Sequence, residues 1–189
     1  MRRLSLLALS LLAACEPPTP DVNVDLLIEP PLEVDTHPDI CTQGAQKGEI
    51  EPFVPEEMCA QITVPQDDWY IESRQVELDF DDYCVTYLIQ NENGELSDYC
   101  NGMQLHLSDG DEPAVVPLRA VAFTQKEEAD EQFAVGFSDV TELQVKATLT
   151  LYSHNEWNNE QIETVLDYDI LMYNINNCEG VQPISCGPQ

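Results

Sequence analysis

Leu143-Gln144-Val145-Lys146-Ala147-Thr148-Leu149-Thr150-Leu151 alternates apolar and polar residues without a break. A period of two sends successive side chains to opposite sides of an extended chain, so this stretch reads as a strand with one buried and one wet face. The same period recurs in Ile162, Leu166, Tyr168, Ile170 and Met172, with Glu163, Asp167 and Asp169 opposite them. It recurs again in Met103, Leu105 and Leu107, where Gln104 and His106 point outward, in Phe133, Val135 and Phe137, and in Val76-Glu77-Leu78-Asp79-Phe80. In Tyr83, Val85, Tyr87 and Ile89 the apolar set moves from even to odd positions, which predicts a bulge or bend near Asp81-Asp82. Val115 to Phe123 reads as a further strand, and Pro117, which cannot donate to a ladder, places it at an edge or makes it a strand start.

A helix start is read at Thr124-Gln125-Lys126-Glu127, whose Thr and Glu have capping-box spacing ahead of Glu128-Ala129-Asp130-Glu131. With little apolar stripe it supports one or two turns. Many strands, polar turns and almost no helix give an all-β fold, an antiparallel β-sandwich of about seven to nine strands.

The 189 residues fit one domain, and 43% hydrophobic content is enough for a packed core. Acidic residues number 36 against 7 Lys plus Arg, a formal net charge of −29. Such a surface repels phosphates, which argues against nucleic acid as a partner. It suits a basic protein or, more plainly, saline surroundings and solubility.

Met1-Arg2-Arg3 is a positive start, and Leu4 to Ala14 is an apolar run of eleven residues. That is the length of a signal-peptide apolar region and too short to span a bilayer as a helix. The run ends in Leu12-Ala13-Ala14-Cys15. Here the chain resembles bacterial lipoproteins, whose lipobox is an aliphatic residue, two small residues and a Cys. The resemblance covers only this segment. It implies removal of residues 1–14, a lipid thioether on Cys15 and acylation of the new amino group, enough chains for stable anchoring. Export by the general route fits better than the twin-arginine route, because the Arg2-Arg3 pair lacks the flanking pattern. Glu16 leaves either membrane open, with the outer one favoured, and the domain would lie in the periplasm or at the cell surface. The partner implied first is therefore the membrane, through the N-terminal lipid.

Setting Cys15 aside leaves Cys41, Cys59, Cys84, Cys100, Cys178 and Cys186, an even set that reads as three disulfides in an exported chain. Zinc is the rival, but there is no Cys-x-x-Cys pair. The turn signal Asn91-Glu92-Asn93-Gly94 closes a hairpin that sets Cys84 opposite Cys100. Proximity in sequence suggests Cys41 with Cys59 and Cys178 with Cys186.

Residues 15–40 carry Pro17, Pro18, Pro20, Pro30, Pro31 and Pro38 among acidic residues. They read as an extended tether after the lipidated Cys, ahead of a sandwich over 41–189. The alternative is that Val22, Val24, Leu26 and Ile28, which alternate, add a strand to the body.

Candidate chemistry is sparse. There is no Gly-x-Ser-x-Gly elbow and no His-Glu-x-x-His, so no catalytic residue is assigned. His106 reads as a solvated strand residue, and His154 with Glu156 alone supplies too few metal ligands. Calcium, which accepts flexible sets of oxygens, has a candidate site at Asp109, Asp111 and Glu112, with Asp79, Asp81 and Asp82 and the segment Asn155 to Glu160 as further acidic clusters. No other cofactor is implied. Trp157, in Asn155-Glu156-Trp157-Asn158-Asn159, and Trp69, beside Asp67-Asp68, are candidate stacking platforms for a glycan. The reading is an envelope-anchored protein with a binding or structural sandwich and no enzymatic role. The alternatives are an exported hydrolase working through clustered carboxylates and a calcium-stabilised carbohydrate-binding module.

Overall fold

A computed structural model of the chain describes residues 19–28, 30–42, 47–66, 76–91, 94–134, 141–156, 159–175, 177–178 and 186. Among these residues eight strands form two packed sheets, the sandwich that the period of two predicts. One sheet runs β1 (Asn23–Leu26), β3 (Glu56–Thr63), β6 (Ala114–Val121). The other runs β2 (Leu32–Asp35), β8 (Glu160–Tyr173), β7 (Leu143–Asn155), β4 (Glu77–Ile89), β5 (Tyr99–Ser108). Every odd-numbered residue of β7 from Leu143 to Asn155 is buried and no even-numbered one is. In β8 the buried residues are Ile162, Tyr168, Ile170 and Met172, all on one face. These side chains meet Met58, Ala60, Ile62 and Leu118 from the opposite sheet in one hydrophobic cluster.

β4 carries the predicted irregularity. Its register against both β5 and β7 shifts between Phe80 and Asp82. Leu78 and Phe80 are buried before the shift and Tyr83, Val85 and Ile89 after it, while Asp81 and Asp82 are both exposed. The extra residue lets both apolar sets face the core, since an unbroken strand would turn one of them to water. Inward-facing tyrosines then reach across the core. Tyr87 Oη donates to the Ala120 carbonyl at 2.6 Å, and Tyr83 Oη accepts from the Arg119 amide at 2.8 Å. Both partners lie on β6, the edge strand that Pro117 foretells, so the hydroxyls satisfy edge groups that would otherwise lack a strand. Burial holds the Tyr87 hydroxyl far above its ordinary ionisation range.

Five expectations need correction. Residues 15–40 are not simply a tether: β1 pairs antiparallel with β3, and β2 pairs parallel with β8. Alternating apolar residues can bury one face, and that outweighs the extended preference of the nearby prolines. The helix α1 (Phe123–Ala134) is 12 residues long, longer than two turns, because Gln125, Lys126 and Ala129 are buried against the sandwich. Its cap is not at Thr124; Gln125 Oε1 reaches back to accept from the Ala122 amide at 3.2 Å. Lys126 Nζ is paired with Glu56 at 2.8 Å and lies 4.9 Å from the Phe53 ring centre, which offsets the cost of burying its charge. Phe133 belongs to this helix and not to a strand, while Val135 and Phe137 fall outside the described residues.

The fifth correction concerns the disulfides. Cys84 pairs with Cys100 as expected, directly opposed across β4 and β5 with Cα atoms 4.1 Å apart. The other two bonds join Cys41 to Cys178 and Cys59 to Cys186, not near neighbours in sequence. Parallel strands β2 and β8 leave the sheet at the same end, so the segments that follow them run side by side and bring Cys41 to Cys178. Two buried carboxylates fasten the same junction. Asp35 accepts from the amides of His37 and Ile175 and from Asn177 Nδ2, and Glu51 accepts from the amides of Asp39 and Asn177. Cys59 lies on β3, so its bond ties the chain end beyond β8 to the opposite sheet. Three disulfides suit an oxidising compartment outside the cytoplasm. Among the described residues no helix is long and apolar enough to cross a membrane.

Two outcomes are expected from urea unfolding of disulfide and carboxylate variants. The sequence separations are 16 for Cys84–Cys100, 127 for Cys59–Cys186 and 137 for Cys41–Cys178. On the chain-entropy account a short loop of this kind is worth about 3 kcal/mol and a long one about 5 kcal/mol. Replacing Cys41 and Cys178 together by Ala should therefore destabilise more than replacing Cys84 and Cys100. Glu51→Gln removes charge-assisted bonds to two backbone amides and should cost about 2–3 kcal/mol.

Candidate functional site

The outer face of the five-stranded sheet gathers the titratable residues. In a row near one end of its strands, Asp79 of β4 stands directly opposite His106 of β5 on one side and His154 of β7 on the other. Opposed residues on one face of a sheet have Cβ atoms about 5 Å apart, so three strands deliver three functional side chains to one spot. Beyond the end of β7 the chain reverses. The Glu156 amide donates to the Glu77 carbonyl at 3.0 Å, and the Asn159 amide donates to the Asn155 carbonyl at 2.7 Å. Asn159 closes this turn with φ at 55°, a left-handed conformation that asparagine tolerates better than most residues. The turn sets the Glu156 carboxyl beside Asp79 and His106.

Distances define the cluster. His106 Nδ1 lies 2.8 Å from Asp79 Oδ1 and 3.9 Å from Glu156 Oε1. His154 Nε2 lies 3.6 Å from Asp79 Oδ2, and His154 Nδ1 lies 2.7 Å from Asp81 Oδ2. The His106 hydrogen bond, and secondarily that of Glu156, holds the Asp79 carboxyl below its ordinary range. The Asp79 bond raises the His106 imidazole, and the hydrogen bond between Asp79 and Glu156 raises the Glu156 carboxyl. Among the described residues no Lys or Arg pairs with these carboxylates: Lys126 is bound to Glu56, Lys146 to Asp167, and Arg119 to the Tyr99 hydroxyl.

A pocket of about 750 Å³ opens next to the cluster, running over β5, β4, β7 and β8. Its lining includes Asp81, Asp82, Asn101, Tyr152, His154 and Gln161, with the Cys84–Cys100 disulfide and Gly102 between them. The bulge brings Asp81 and Asp82 side by side here, since both residues are turned outward.

The calcium site expected at Asp109, Asp111 and Glu112 is not what the fold assembles. Asp109 Oδ1 accepts from the Val76 amide at 3.1 Å and Asp111 Oδ2 from the Ser108 amide at 2.8 Å, so these carboxylates shape the turn after β5. Among the described residues the set of three or more metal-ligand types that converges is Asp79, His106 and Glu156, with ligand atoms all within 4.8 Å of one another. Trp69, Trp157 and Cys15 lie outside the described residues. The sequence contains part of the signal for the real cluster. Pairing Cys84 with Cys100 and inserting one bulge residue between 80 and 82 moves the register so that Asp79 meets His106. The contribution of His154 depends on which strand flanks β4 on its other side, and no local pattern encodes that. A hydrolase would need a raised carboxyl enclosed in a cleft. Glu156 is raised, but its side chain is 46% exposed on an open turn beside Asp79.

No protein-family profile, curated protein or solved structure matches the chain.

The Asp79–His106 pair gives a pH signature. His106 is raised above its ordinary 6.5, so its stabilising contribution is full below that value and is lost as pH rises through the raised one. Asp79 is lowered below 3.8, so its contribution is present above that value and lost as pH falls through the lowered one. An NMR titration should show the His106 ring titrating above a free histidine, and Asp79→Asn should bring it back down. A His106 titration unmoved by Asp79→Asn would mean that the pair does not form in solution.

Proposed function

We propose that this chain is an envelope-anchored binding lipoprotein that takes a hydroxyl-rich ligand of the glycan class in the outer-face pocket. The anchoring half of this reading rests on Leu12-Ala13-Ala14-Cys15 after a charged, apolar leader. Membrane attachment through the Cys15 lipid, with the outer membrane favoured, keeps the acidic body near a surface it is repelled from, so the domain stands off the bilayer. The binding half rests on one observation, the composition of the pocket wall. Paired carboxylates at Asp81 and Asp82 and amides at Asn101 and Gln161 are hydrogen-bonding partners for hydroxyls, and the Tyr152 ring is an amphipathic surface for a sugar face. The wall offers polar and apolar surface in nearly equal measure, as a sugar's hydroxyls and ring faces require.

Gly102 provides a clean test. A Cβ there would meet only Asp82 Oδ1 at 3.7 Å and the Asp81 carbonyl at 3.8 Å, both ordinary contacts. Gly102→Trp should therefore fill the pocket mouth and leave the fold intact. On a glycan array the purified chain should retain defined glycans and Gly102→Trp should lose them; an array with no retained glycan would sink the ligand assignment. Radiolabelled palmitate should be incorporated in expressing cells and not by Cys15→Ser. An unlabelled wild-type chain would sink the anchor.

A further inference from the structure

We infer that Asp79, His106 and Glu156 form a binding site for a divalent cation of the zinc class, with His154, on the other oxygen of Asp79, placed to swing in as a further ligand. The converged donors are one imidazole nitrogen and two carboxylates, and a second imidazole lies against Asp79. Nitrogen donors select borderline ions such as zinc, cobalt, nickel or copper over calcium, which takes oxygen. In a tetrahedral site with ligands about 2.0–2.1 Å from the ion, donor atoms sit roughly 3.3 Å apart. The separations of 2.8 and 3.9 Å within the converged set bracket that value, and His154 Nε2 lies 3.6 Å from the second Asp79 oxygen. Small rotations of side chains that are a third to a half exposed bring them to it.

A second observation points the same way. His154 Nδ1 is held by Asp81 at 2.7 Å, while its Nε2 faces Asp79. In the tautomer that donates Nδ1–H to Asp81, Nε2 presents its lone pair to an ion. A carboxylate behind the imidazole and a lone pair in front of it is how metal-ligating histidines are fixed and made more basic. The charge balance agrees. Carboxylates from Asp79, Asp81 and Glu156 meet here, and among the described residues no Lys or Arg neutralises them. A dication supplies that charge, and the net −29 of the chain raises the local cation concentration. The bound ion would bridge β4, β5 and the end of β7, and so brace the rim of the proposed ligand pocket.

The test uses the full chain without a polyhistidine tag, titrated with zinc chloride and then with cobalt chloride. One zinc per chain is expected, with a rise in melting temperature, and cobalt should give the visible absorption of a tetrahedral nitrogen and oxygen site. His106→Gln and His154→Gln should each weaken zinc at least about tenfold, while His37→Gln, whose ring is bonded to Asp130 instead, should leave it unchanged. Asp81→Asn should weaken zinc less than either ligand histidine. Circular dichroism of each variant confirms that it folds. Absence of zinc binding by the wild type, unchanged affinity in both histidine variants, or displacement of zinc by calcium overturns the site. The inference shares a face with the proposed glycan pocket but is separable from it: Gly102→Trp should abolish glycan retention and leave zinc binding in place.

Discussion

The extra residue in β4 is the constraint from which most of this structure follows. A strand offers only two faces, and β4 must send Leu78 and Phe80 inward before the break and Tyr83, Val85 and Tyr87 inward after it. One inserted position reconciles the two runs. The inward phase after the break lets Tyr83 and Tyr87 bond the backbone of the far edge strand. The outward phase before it aligns Asp79 with two histidines, and the break itself exposes two further carboxylates. A single local irregularity thus serves sheet-to-sheet packing on one face and site assembly on the other.

The two ends of the domain are held by a different device. A parallel pair of short strands carries the N-terminal segment alongside the last long strand, and the segments leaving that pair are fixed by two disulfides and two buried carboxylates. Asp35 and Glu51 are almost fully buried, yet each accepts hydrogen bonds from backbone amides, which is what makes an acidic side chain tolerable inside. The sandwich is therefore closed by its termini, although a proline-rich start suggests that the beginning of the chain would stand apart.

Acidity acts differently in different places. On most of the surface it is diffuse and solvated. Near one end of the five-stranded sheet it is concentrated beside the two histidines of β5 and β7, with Lys126, Lys146 and Arg119 committed elsewhere. Charge of one sign held together by folding energy is a store of affinity for the opposite sign. The proposed cation and ligand sites both draw on it, and an anchored domain would display them at the envelope surface.

The sequence by itself determined β4 to β8 and their inner faces, because a period of two is a local property that burial reads directly; β2 and β3 are not read from it, and Phe133, which reads as strand, lies in α1. It also determined the bulge near Asp81-Asp82, the edge position marked by Pro117 and the Cys84–Cys100 bond, since each depends on residues within one hairpin or one strand. Only the tertiary structure decided that residues 22–35 join both sheets, that Cys41 and Cys59 bond to the far end of the chain, and that α1 runs for three turns. These outcomes turn on which segments become neighbours after folding. The same holds for the candidate site. Asp79 and His106 were within reach of a register argument. His154 and Glu156 come to them only because β7 lies next to β4, a long-range pairing that alternation of side chains constrains in phase but not in partner.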